Sequence, residues 1–229
     1  MAKKPTQKNL NLLKSPTEFE RSRVRREYTS AVRQESALKA IGTLHHGTDI
    51  FGFTKGQFSM IDLLEHCLKQ TGPAHLFVAT WSAAAADIQA AHKFLGNGRI
   101  LTIKLLVDYS FQSRKPEFCR ELVDAFGAEA VRVTVTHAKY CLIRNDDWDL
   151  VIRTSMNLNY NPRFENYEIS DSKEFADFLQ VIIDEIWSSQ EAGEAFEARP
   201  HDNYKMFQKT FENQASIYGE DIADGRDII

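Results

Sequence analysis

An α/β fold, a three-layer α/β/α sandwich around a mixed, largely parallel sheet, is what three features of this chain predict. Short β-branched runs alternate with amphipathic stretches of helical period; those stretches carry helix start and stop signals; and 229 residues with 43% hydrophobic content suffice for one core but not comfortably for two.

The ordered body begins in the forties with GTLHHGTDIFGF, whose glycines and aromatics suggest a hairpin or extended edge. SMIDLLEHCLKQTG follows with apolar residues at 60, 61, 63, 64, 67 and 68, a Ser59-x-x-Asp62 start and a glycine stop, which predicts a helix. HLFVAT is a buried strand, SAAAADIQAAHKFLG a helix ending at Gly96, RILTIKLLVD a strand, KPEFCRELVDAFG a helix, and VRVTV a strand. Strands alternating with helices at this spacing imply right-handed crossovers and a sheet covered on both faces. Ligands of such sheets gather beyond the carboxyl ends of the strands, here just after Thr80, Asp108 and Val135.

Beyond the third of these points lies THAKYCLIRNDDWDLVIRTS, which reads as a hairpin turning near Asp146. If THAKYCLI is a strand, His137 and Lys139 share a face, and antiparallel pairing brings His137 toward Ser155 and Asn157. NYEIS then reads as a strand carrying Asn166 and Glu168 to the same rim. The closing helix, DSKEFADFLQVIIDEIW, is expected to start at Asp171-x-x-Glu174 and to bury Phe175, Phe178, Leu179, Ile182 and Ile186; that stripe is core, not a cofactor box.

The organisation expected is a basic flexible arm over 1–40, a catalytic domain over 41–190 and an acidic helical tail over 191–229. Residues 1–35 hold nine Lys or Arg against four acids, and the last forty residues show the reverse. A net charge of −4 excludes a global field drawing the chain onto nucleic acid or anionic lipid, so any such attraction is local. No apolar run is long enough for a secretory signal or a membrane span, which predicts a cytoplasmic protein with no membrane partner. Cys67, Cys119 and Cys141 lie far apart and outside any CxxC spacing, so they are expected to be core thiols. His45 and His46 lack further ligands at metal spacing, and no metal or other cofactor is expected.

The set His137, Lys139, Ser155, Asn157, Asn166 and Glu168 resembles the signature of the phospholipase D superfamily, HxKxxxxD followed by GSxN and then NxE. The resemblance spans about 110 residues, from the helix at Ser59 to Glu168, in element order as well as in motif. Two positions depart from it. The aspartate falls on Arg144, with Asp146, Asp147 or Asp149 as possible substitutes, and TSMN places Thr154 where glycine is expected.

The resemblance implies metal-independent phosphodiester cleavage. His137 attacks phosphorus to form a phosphohistidine; Lys139 and Asn157 hold the nonbridging oxygens with help from Ser155; and Glu168 accepts a hydrogen bond from the imidazole and fixes its tautomer. No second His-x-Lys occurs, and superfamily members with one motif per chain join two copies into one site, so a homodimer with the active site on its two-fold axis is expected. Nucleic acid is the expected substrate: Trp81 and Tyr109 follow strand ends where bases can stack, and Arg114, Arg153 and Arg163 suit a phosphate backbone. Two other readings are a catalytically silent nucleic-acid-binding or regulatory module and a phospholipid phosphodiesterase.

Overall fold

A computed structural model describes residues 27–30, 36–81, 85–108, 110, 116–134, 136–158 and 163–193. The acidic tail beyond 193, Tyr109, Arg114 and most of the basic arm lie outside these residues.

In chain order the elements are β1 (Glu27–Ser30), α1 (Ala37–Ile41), β2 (Asp49–Thr54), α2 (Met60–Thr71), β3 (Ala74–Thr80), α3 (Ala85–Gly96), β4 (Ile100–Asp108), α4 (Pro116–Phe126), β5 (Val131–Thr134), β6 (Tyr140–Arg144), β7 (Asp149–Thr154), β8 (Glu165–Asp171) and α5 (Lys173–Ser189). The strands form one mixed sheet in the order β1-β2-β8-β7-β6-β3-β4-β5. Only the pairs β1–β2, β3–β4 and β4–β5 are parallel, which corrects the expected parallel majority. The reason is connection length. Helical crossovers make parallel neighbours, whereas the short Asn145–Trp148 turn makes β6 and β7 antiparallel, and β8 returns beside β7 after a brief excursion.

Sheet alternation divides the core into two layers. Leu76, Val78, Leu105, Cys141, Ile143, Leu150 and Ile152 pack with α2, α3 and α4. Phe77, Ala79, Leu106, Leu142 and Val151 pack on the other face against Phe175, Ala176, Ile183 and Ile186 of α5. This is the three-layer arrangement that the pattern of elements predicts.

Ser59 caps α2 in a complete capping box with Asp62, and Gly72 closes the helix at φ 75°. The start of α5 differs from expectation by one residue. Ser172, not Asp171, is the N-cap, accepting from the Phe175 amide, because Asp171 is still paired in β8. Glu27–Ser30, which composition assigns to the arm, adds β1 as a parallel neighbour of β2. All three cysteines are buried and form no disulfide among the described residues.

No helix among the described residues is long and apolar enough to cross a membrane. His46 is held by Asp171, its Nδ1 3.3 Å from Oδ2, and stacks on Trp148 with centroids 4.2 Å apart.

Candidate functional site

The registers bring the ends of neighbouring strands to one rim. Ala79 of β3 lies opposite Tyr140 of β6, Tyr140 opposite Arg153 of β7, Thr154 opposite Tyr167 of β8, and Phe53 of β2 opposite Asn166. The carboxyl ends of β3, β4, β5 and β7 therefore meet the beginnings of β6 and β8, where the strand-end rule places ligands.

At this rim the chain does not enter β6 until Tyr140, so His137 and Lys139 precede the strand instead of lying within it. Pairing continues one step further, because the Thr154 amide donates to the Lys139 carbonyl at 3.1 Å. Beyond that the backbone is set by Asp108 at the end of β4. One carboxylate oxygen accepts the Thr136 amide at 3.0 Å and the other accepts from the Ser110 amide and hydroxyl, while Thr136 Oγ1 accepts the Ala138 amide. Burying a carboxylate is costly unless it is hydrogen-bonded, and these donors meet that cost while fixing the segment that bears His137.

Among the described residues, the exposed His137 ring meets Lys139 and Trp81. Lys139 Nζ lies 3.3 Å from its Nδ1, and the Trp81 ring lies beside it with centroids 5.6 Å apart. Lys139 Nζ also donates to the His137 carbonyl at 3.1 Å. An ammonium donating to Nδ1 leaves the ring proton on Nε2, so Nε2 has no lone pair to offer until Lys139 turns to a ligand. Partial burial lowers the Lys139 pKa from its ordinary 10.5, and the negative charge of Glu165 opposes that shift.

Lys139, Arg153, Thr154, Ser155 and Asn166 line an open cleft of ≈350 Å³, floored by Tyr140, Phe175 and Leu179. Two cations, two hydroxyls and an amide over an apolar floor suit a small anion with organic substituents. Thr154 Oγ1 donates to the Asn166 carbonyl at 2.6 Å, so the side chain standing where the motif has glycine ties β7 to β8. Asn157 has its Oδ1 buried with no hydrogen-bond partner among the described residues. Arg163 is exposed on the approach to β8.

Two expected proximities differ. Ser155 and Asn157 are not among the contacts of His137, because the chain leaves the sheet before reaching it. Glu168 does not hold the imidazole. It is the cross-strand partner of Arg153, and the two side chains form an ion pair, with the guanidinium also 5.1 Å above the Phe175 ring.

The residue that the sequence reading missed is Glu165. Its carboxylate accepts the Ser155 hydroxyl proton, while the Asn166 amide donates to Ser155 Oγ at 3.0 Å. An acid three residues before the expected one gives no periodic signal, and only the β7–β8 register reveals it.

Arg144, at the motif's aspartate position, is bound on two sides. Its Nε donates to Asp149 at 2.6 Å and its terminal nitrogen to Asp177 of α5 at 2.7 Å. Asp149 is thus the acid of the turn that engages it, while Asp146 and Asp147 are exposed. The reversed charge still anchors the hairpin, now to the helix that floors the cleft.

The sequence matches no protein-family model and no curated protein. Comparison of the fold with solved structures finds a phospholipase D family member, Nuc from Salmonella typhimurium, at 15% identity and TM-score 0.43, over 62% of this chain and 95% of that one. NucT from Helicobacter pylori matches at 16% and 0.43, over 62% and 97%. Polyphosphate kinase from Porphyromonas gingivalis matches at 11% and 0.45 over 66% of this chain, which spans 27% of that enzyme's length.

Proposed function

We propose that this chain is a metal-independent phosphodiesterase of the phospholipase D type that cleaves DNA or RNA through a phosphohistidine at His137, in a site completed by a second copy. The observation that carries this reading is the Lys139 ammonium in contact with the His137 ring, at the mouth of a cleft lined by Arg153, Ser155 and Asn166. An ammonium beside an imidazole sets a positive charge for a phosphate oxygen next to a ring nitrogen able to attack phosphorus.

The reaction proceeds in two displacements. A diester entering the cleft draws Lys139 and Arg153 onto its nonbridging oxygens, with Asn157 as a further donor. Released from Lys139, His137 attacks phosphorus through a ring nitrogen; the P–N bond forms as the P–O bond to the leaving group breaks. The leaving oxygen takes its proton from a second imidazolium, which we assign to His137 of the other copy. That imidazole, now neutral, removes a proton from water, whose oxygen attacks phosphorus and expels His137. Trp81, beside the ring, is placed to stack on a base flanking the scissile phosphate, and Arg163 to meet the backbone.

The Arg153–Glu168 ion pair favours a second reading, a silent phosphate-binding module, because it occupies the carboxylate that would otherwise fix the imidazole tautomer. Purified protein incubated with single-stranded and duplex oligonucleotides and with bis(p-nitrophenyl) phosphate in excess chelator separates the two. Cleavage abolished by His137→Ala supports the enzyme; binding without cleavage supports the module.

A further inference from the structure

We propose that Phe53 and Phe164 form a base-stacking platform beside the cleft, which makes a single strand, and not a duplex, the nucleic acid that this rim accepts. The inference rests on the phosphate-site reading above and adds a binding surface that the motif residues do not include.

Sheet alternation sets the platform in place. Ile50 of β2 and Tyr167 and Ile169 of β8 belong to the core shared with α2, so Phe51, Phe53, Asn166 and Glu168 face the side on which α5 lies. The core that α5 forms takes residues from β3, β4, β6 and β7 and none from β2 or β8. Phe53 is accordingly only half-buried. The Phe164 ring, 62% exposed, stacks on it with centroids 5.0 Å apart and planes 15° from parallel, and Phe51 supports Phe53 edge-on at 5.0 Å. The other exposed large hydrophobics among the described residues, Leu38, Leu101 and Val181, are single aliphatic side chains, ordinary at a surface. Phe164 differs from them: a second ring fixes its plane while most of its area meets solvent.

Position selects the occupant. Phe53 is the cross-strand partner of Asn166, which lines the cleft, so the platform begins about 5 Å from the cleft wall. At the opposite end of the rim Trp81 stands beside His137. From β2 to β3 the rim crosses four strand spacings, about 19 Å, with rings at both ends and Lys139 and Arg153 between them. Rings flanking cations match the bases and phosphates of one unpaired strand laid across the strand ends. Arg163, exposed and next to Phe164 in sequence, adds charge of the sign that a phosphate backbone requires. A duplex keeps its bases paired and stacked inside, so it can meet the cations but not the rings.

The test uses the full-length protein carrying His137→Ala, so that no strand is consumed, and fluorescence anisotropy at physiological salt. The probes are an oligothymidylate, a strand of equal length built from abasic spacers, and the thymidylate–adenylate duplex. The oligothymidylate is expected to bind roughly tenfold more tightly than either of the others, as one stacked base supplies. Adding Phe164→Ala should abolish most of that advantage and Phe164→Tyr should keep it, with thermal melting to confirm folding. Equal affinity for strands with and without bases, a preference for duplex, an advantage that survives Phe164→Ala, or a dimer that Phe164→Ala dissociates in light scattering would overturn the platform. Dimethyl phosphate, titrated by ³¹P NMR, separates the claims. Base-dependent binding with no site for dimethyl phosphate contradicts the phosphate cleft alone, and a dimethyl phosphate site without base dependence contradicts the platform alone.

Discussion

Arg153 and Glu168 stand directly opposite one another on β7 and β8 and form an ion pair over the Phe175 ring. The pair holds a cation at the cleft and satisfies a carboxylate whose side chain is only 18% exposed. Arg153→Ala removes the cleft cation and the ion-pair partner of Glu168, so two effects are expected together. The KM for a diester should rise about tenfold, the worth of one charge-assisted contact. Stability should fall by about 1–3 kcal/mol, read from the urea midpoint. Arg153→Lys should recover part of the first effect but little of the second, since an ammonium lacks the planar fork.

Arg144 bridges Asp149 and Asp177 from a side chain that is 22% exposed. Arg144→Met is expected to cost about 2 kcal/mol by leaving two acids without their shared donor. Hydrogen bonds from Lys173 and from Arg144 hold the Asp177 carboxyl below its ordinary 3.8. A depressed carboxylate contributes stability that is fully present above its unfolded pKa and is lost as pH falls through the folded value. Stability should therefore decline below about pH 3.8 in the wild type and less steeply there in the variant, a difference that acid titration of the urea midpoint measures.

If Lys139 grips phosphate, as proposed, it must be charged, and partial burial lowers its pKa from 10.5 against the opposing pull of Glu165. Diester binding should therefore fail on the alkaline side at a pH below 10.5. Glu165→Gln removes the charge that favours the ammonium and should move this limb to lower pH. A limb at the ordinary lysine value in both proteins would contradict the placement of Lys139.

The helical half of the fold is legible in the sequence because its signals are local. Ser59 and Asp62 announce α2 through a capping box that the chain does form, and the stripe from Phe175 to Ile186 announces α5. Alternation likewise separates Leu142 from Cys141 and Ile143 across the two faces of β6. What the sequence conceals is set by long-range pairing. The four-residue β1 carries no period of its own and is defined by its neighbour β2. Asp171 reads as a helix cap, yet β7 claims it for the sheet and the cap passes to Ser172. In the site, Lys139, Ser155 and Asn166, which motif spacing groups, line one cleft, with His137 against Lys139. That Glu168 meets Arg153, and that Glu165 meets Ser155, depends on a register that a one-residue slip would reverse.

If two copies share one site, as proposed, each reaction needs the imidazole of both. Mixing equal amounts of wild type and His137→Ala under subunit exchange should leave about a quarter of the original dimer-limited rate, because only homodimers of wild type remain competent. Retention of half the rate would mean that each chain works alone.

The most direct test of the account is capture of the covalent intermediate. The protein is mixed with a diester in excess chelator, quenched in alkali, which preserves a phosphoramidate, and analysed by peptide mass spectrometry. A phosphoryl adduct on His137, labile to acid and missing from His137→Ala, is the predicted result; turnover with no adduct there, or an adduct on another residue, would contradict it.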